Sequence, residues 1–127
     1  MNVVWSYLVA LAMLLGSTEA LAEVPASTSK EIGHLLSYLS SSGCKFYRNG
    51  TWHDSEAARA HLEKKYKYLL KKDMVKTAED FIRLGATESS VSHESYRVRC
   101  GEQEQPSQAW LTAELLRYRQ AESYEAP

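Results

Sequence analysis

The chain has 127 residues, with 15 basic against 16 acidic side chains, a formal charge of −1 at pH 7 and 44% hydrophobic residues. That length accommodates one domain and not two. The balanced charge excludes global electrostatic attraction to nucleic acid or to an acidic surface as the basis of function.

Val3 to Leu15 is a nearly unbroken apolar run ending at Gly16, and Ala20-Leu21-Ala22 follows in the A-x-A pattern of a secretory cleavage site. The run is shorter than the roughly 20 apolar residues of a membrane span. No Lys or Arg precedes it, so the α-amino group of Met1 is its only positive charge. Residues 1–22 read as a cleaved signal peptide, with an uncleaved anchor as the alternative. Removing them from 127 residues leaves 105, and takes away one charged side chain, Glu19, so the mature chain is formally neutral. No cysteine follows the cleavage site to carry a lipid.

After a lead-in from Glu23 to Ser27, Thr28 and Glu31 have the spacing of a capping box, and Ile32, Leu35, Leu36 and Leu39 follow at i, i+3, i+4 and i+7. A first helix is expected there, ending over Ser40 to Gly43. Next comes CKFYRNGTWHD, residues 44 to 54, in which Asn49-Gly50 separates two alternating runs. Asn-Gly tolerates the positive φ of a type I′ turn, so this stretch is expected to be a two-residue hairpin. Its register sets Arg48 opposite Thr51, Tyr47 opposite Trp52 and Phe46 opposite His53.

Asp54 can cap a long second helix whose Ala58, Leu62, Tyr66 and Leu69 share a side, while Lys64, Lys67, Lys71 and Lys72 crowd the others. The lysines of KKYKYLLKK read as a solvated face, or more pointedly as a contact for envelope polyanions. Thr77 with Asp80 caps a short third helix carrying Phe81 and Ile82, which Gly85 is expected to stop as a C-cap glycine. Tyr96 to Cys100 alternates as a strand, and Ser107 caps a last helix with Trp110, Leu111, Leu115 and Tyr118 as its stripe. Residues 120–127 are polar and read as a flexible tail.

An exported chain with two cysteines favours a Cys44–Cys100 disulfide over two free thiols. If the bridge joins opposed residues of antiparallel strands, Phe46 faces Val98 and Arg48 faces Tyr96. The expectation is therefore a single α+β domain over residues 23–119, about four helices on a short three-stranded antiparallel sheet containing the Asn-Gly hairpin. That register brings Arg48 and Asn49 toward Tyr96 and the serines Ser89, Ser90 and Ser92. Arg48, Asn49, His61, Ser90, Ser92 and Tyr96 are the candidate ligand-binding residues, with stacking of Arg48 on Tyr96 as the plain structural alternative.

No nucleophile elbow, zincin helix or phosphate-binding glycine loop is present, so neither catalytic residues nor a cofactor is assigned. His34, His53, His61 and His93 would have to gather three at a time beside a carboxylate to hold a metal, and no metal site is assigned. Asn49-Gly50-Thr51 matches a glycosylation sequon but reads as turn chemistry.

The ordered set Phe46, Arg48-Asn49-Gly50, Ala58, His61-Leu62, Lys65, Thr77-Ala78-Glu79, Phe81-Ile82, Ser89-Ser90, Ser92, Tyr96 and Trp110-Leu111 resembles the YfeK-like family of small exported bacterial proteins, the domain of unknown function 5329. The resemblance spans residues 31 to 119. The family pattern has a glycine after the third serine, where this chain has His93. The resemblance implies a periplasmic bacterial protein and carries no activity with it. Two readings follow: a monomeric, non-enzymatic binding or accessory module of the cell envelope, with an envelope protein or a small ligand as partner, or a small periplasmic hydrolase or ligand-processing enzyme using the Arg48, His61 and Ser90 region.

Overall fold

The computed structural model describes residues 24–125, so residues 1–22, read above as a signal peptide, lie outside the described residues. Helix α1 (Ala26–Ser41) enters from Pro25 and buries Ile32, Leu35, Leu36 and Leu39 on one face. Burying each of these aliphatic side chains is worth about 1.5–3 kcal/mol. The expected capping box does not form, because the helix starts earlier, with Pro25 at the N-cap, so Thr28 already lies in its first turn; both members instead make tertiary contacts. The Thr28 hydroxyl, 6% exposed, donates to the Lys76 carbonyl at 3.0 Å. The Glu31 carboxylate receives Arg119.

Strands β1 (Lys45–Arg48), β2 (Thr51–His53), β3 (Arg97–Cys100) and β4 (Gln103–Pro106) form one antiparallel sheet in the order β2-β1-β3-β4. Phe46 stands opposite His53, Tyr47 opposite Trp52 and Arg48 opposite Thr51. Asn49 and Gly50 between those strands carry φ of 50° and 85°, the left-handed region that Asn and Gly enter most readily. On the other side of β1, Phe46 faces Val98 and Tyr47 faces Arg97. Cys44 and Cys100 sit in disulfide geometry at the end of this pairing, Cα atoms 4.5 Å apart.

The sheet has four strands where three were expected. β4 pairs along the whole of β3, from Arg97–Pro106 to Cys100–Gln103. All four of its residues are exposed, so it has no apolar alternation to betray it. It is an edge strand that ends in proline, which cannot donate to a further ladder.

Helix α2 (Ser55–Lys71) begins at Asp54, whose carboxylate accepts from the Ala57 N–H at 2.8 Å. Helix α3 (Ala78–Gly85) carries a complete capping box between Thr77 and Asp80. Gly85 is not the left-handed cap expected of it: it is the last residue of the helix, is buried, and its φ is not positive. A Cβ there would lie 3.4 Å from Leu69 Cδ1, so the glycine marks a close approach of α3 to α2. Helix α4 (Ser107–Glu125) includes Ser107 as its first residue and continues through residues 120–125 of the expected flexible tail, whose residues 126–127 lie outside the described residues.

All four helices contribute to one core with the inner face of the sheet. Phe46 and Val98 project into it, and Phe46 meets Trp110 edge to face with centroids 5.5 Å apart. The outer face carries Tyr47 and Trp52, paired at 5.4 Å, with the Arg99 guanidinium 4.2 Å above Trp52. No helix among the described residues is long and apolar enough to cross a membrane.

Candidate functional site

Three elements converge at one end of the sheet: the β1–β2 turn, the loop that leads into β3, and the middle of α2. The loop is shaped by Ser89, which is 2% exposed. Its hydroxyl accepts from the Val91 and Ser92 N–H groups at 3.1 and 3.2 Å, and its carbonyl accepts from the His93 N–H at 3.0 Å. His93 occupies the left-handed region at φ 61°. That conformation is cheap for the glycine of the resembled pattern and strained for a histidine. Ser92 donates to Asn49 Oδ1, and Tyr47 donates to Glu94 Oε2 at 2.9 Å, so the loop is tied to the hairpin tip. Asn49 and Ser92 therefore satisfy each other.

Tyr96 is the centre of the arrangement, 6% exposed, just before β3. Its Oη lies 3.1 Å from His61 Nε2 and accepts from Lys65 Nζ at 3.0 Å. His61 and Lys65 are four apart on α2 and so project from the same side of it. The Lys65 ammonium also donates to the Glu88 carbonyl at 3.2 Å and stands 4.9 Å from the Tyr96 ring centroid. The cation on Tyr96 is thus Lys65, not Arg48 as the strand register had suggested.

Burial lowers His61 to a pKa of about 4, and the charges of Arg48 and Lys65 push the same way, with smaller pushes from His53 and Lys64. Burial also lowers Lys65, again aided by Arg48 and opposed by the Glu88 carboxylate. Tyr96 is raised by burial, against the pull of Arg48. At neutral pH the imidazole is uncharged. Tyr96 Oη, already an acceptor from Lys65, can donate its own proton to His61 Nε2 when the imidazole carries its proton on Nδ1.

Two hollows flank this cluster and share His61. The first, of about 30 Å³, is lined by Arg48, His53, His61 and Tyr96 over an apolar floor that includes Phe46, Leu62 and Leu111. It has room for one or two waters and no more. The second, of about 400 Å³, is lined by His61, Lys64, Lys65, Tyr68, Leu69, Leu84 and Ser90. The six candidate residues thus divide: Arg48, His61 and Tyr96 face the small cavity, Ser90 joins His61 on the larger hollow, and Asn49 and Ser92 hold the tip. Lys65 belongs to the cluster but was absent from the candidates, because a run of five lysines between 64 and 72 does not reveal which one turns inward.

A second polar network went unread in the sequence. Glu114, 4% exposed, lies among the apolar residues of the α4 stripe. His34 Nε2 approaches it to 2.6 Å and Arg117 Nε donates to it at 2.7 Å. Arg117 holds its carboxyl below the usual carboxylate range. His34 stacks on Tyr118 with centroids 4.1 Å apart. Nearby, Arg119 donates to both Glu31 and Glu79, joining α4 to α1 and α3. These contacts account for themselves as helix-to-helix ties. Among the described residues no group of three or more His, Cys, Asp or Glu is placed to hold a metal ion.

A family model, that of DUF5329, a family of unknown function, matches residues 26–119. No curated protein and no solved structure matches the chain.

Proposed function

The chain belongs to the DUF5329 family, and from that premise we propose that it is a non-enzymatic binding or accessory module of the bacterial cell envelope. In this reading residues 1–22 are removed on export, the mature domain begins at Glu23, and the protein works in the periplasm as a monomer. Its partner is an envelope protein or a small ligand engaged around His61, with Arg48 and Tyr96 on one side of the imidazole, Ser90 on the other, and Asn49 and Ser92 shaping the rim.

The observation that supports it best is the engagement of His61. Its Nε2 is taken by the buried Tyr96 hydroxyl, which Lys65 also holds. A histidine acting as general base needs a free ring nitrogen within reach of a nucleophile or water, and this one is already engaged. Here the imidazole instead supports a half-buried cation beside a hollow, an arrangement suited to holding a group rather than transforming one.

The test is a paired one. Gly50→Val places a β-branched side chain at φ 85°, in open space, so its cost of about 1–3 kcal/mol is backbone strain alone. Arg48→Ala is expected to leave the unfolding midpoint close to that of the unmodified protein while weakening recovery of periplasmic partners on pull-down. An Arg48→Ala variant as unstable as Gly50→Val would make Arg48 a structural strut, and hydrolysis of a periplasmic substrate lost in His61→Gln would replace binding by catalysis.

A further inference from the structure

Lys64 and Lys65 form no ion pair with a carboxylate among the described residues, although the chain as a whole is nearly neutral. Both line the 400 Å³ hollow on α2. An ammonium has three donors. Lys65 spends two, on Tyr96 Oη and the Glu88 carbonyl, and those bonds fix its position. Glu88 is the acidic side chain that acts on Lys65, and its carboxylate sits 3.4 Å from His93 Nδ1. Ser90, exposed, adds a hydroxyl to the wall of the hollow. The rest of the lining is the His61 imidazole and an apolar side made of Leu69 and Leu84, with Tyr68 59% exposed beside them.

We infer that this hollow binds a small organic anion, a single carboxylate or phosphate carried on an apolar body. The inference rests on the binding-module reading and names the ligand chemistry. The anionic group meets Lys65 and Lys64, with Ser90 as a hydroxyl partner, and the apolar body lies on Leu69, Leu84 and the Tyr68 ring. A charge-assisted hydrogen bond to a cation already held and partly shielded from water is stronger than one to a freely solvated lysine. The volume falls within the range of small-ligand sites, whereas the neighbouring cavity admits only water.

The test is an amide-resolved NMR titration of the oxidised, purified protein with phenyl phosphate and benzoate, using phenol as the uncharged control and inorganic phosphate as the control without an apolar body. At least one aromatic anion is expected to bind saturably, with shifts centred on Lys64, Lys65, Leu84 and Ser90, and more tightly than either control. Lys64→Gln combined with Lys65→Gln is expected to weaken it at least about tenfold. Lys65 also braces Tyr96, so Lys64→Gln and Ser90→Ala alone serve as variants that leave the brace intact, each giving a smaller loss. Lys67→Gln with Lys71→Gln, farther along α2, is expected to change nothing. Equal affinity for phenol, no saturation below about 10 mM, or an equal loss in the Lys67 and Lys71 variant would overturn the inference. The partner recovery by Arg48→Ala reads the other side of His61, so either result can fail without the other.

Discussion

Lowering the pH from 7 to 5 is expected to destabilise the protein through His61. An ordinary histidine titrates near 6.5, and in the folded protein His61 titrates at about 4. In that interval the unfolded chain binds a proton that the folded chain refuses, so stability is present above pH 6.5 and is lost as the pH falls toward 4. With those two values the linkage relation gives about 1.8 kcal/mol between pH 7 and pH 5. His61 is only half-buried, so solvent screening reduces this to about 1 kcal/mol. The carboxylates held low by Arg119, by the Lys76 N–H and by Arg117, namely Glu79, Asp80 and Glu114, lose their contribution below the usual carboxylate range. The window from pH 7 to 5 therefore isolates the histidine effect from theirs. The assay is urea unfolding at both pH values for the unmodified protein and for His61→Gln, which keeps an acceptor for the Tyr96 hydroxyl but does not titrate. The variant is expected to lose about 1 kcal/mol less on acidification. Identical losses in both proteins would refute the neutral, desolvated His61. Direct titration of the ring by NMR adds an order: Arg48→Ala should raise the His61 pKa more than Lys65→Met, and neither should restore 6.5, because burial is the largest cause.

Gly85→Ala is expected to be neutral or stabilising by up to about 1 kcal/mol, since the residue is helical with ordinary φ and the new methyl meets Leu69 at contact distance. A thermal midpoint lower by several degrees would point back to a left-handed cap. His93→Gly should relieve left-handed strain at φ 61° and raise stability by up to about 1 kcal/mol, less the entropy glycine adds to the unfolded chain. A clear loss in denaturant unfolding would mean that the His93 side chain contributes more than its contact with Glu88. Reduction of Cys44–Cys100, which are 56 residues apart, should cost about 4 kcal/mol on the chain-entropy model. Midpoints measured with and without reductant check it, and coincident curves would contradict the bridge.

What was legible in the sequence has its physical cause within a few residues. Thr77 and Asp80 cap α3, Asp54 caps α2, and Asn49-Gly50 turns the chain, because each satisfies backbone groups or φ values three residues away or fewer. Alternation then sets the hairpin register, and two opposed cysteines extend that register to β3, which is why Phe46 faces Val98. The same logic missed β4, since an edge strand exposed on all its residues needs no apolar pattern, only the free ladder of β3 beside it.

The residues whose roles were misread answer to partners far away in the chain. Thr28 is spaced for a capping box but donates to a carbonyl 48 residues on, and Glu31 meets an arginine 88 residues on. Glu114 is tolerated in the core because His34, 80 residues earlier, and Arg117 satisfy its carboxylate. At the candidate site the strand register brought Arg48 toward Tyr96, but nothing local placed His61 beside them. Only the packing of α2 across the β3 loop selected Lys65 from its run of lysines and placed it on Tyr96. Local sequence determined the caps, the turn and the strand register, because those depend on backbone groups nearby. Which polar side chains became desolvated, and hence which could hold a ligand, was decided by tertiary packing, because desolvation is a property of everything brought around a group and not of its neighbours in the chain.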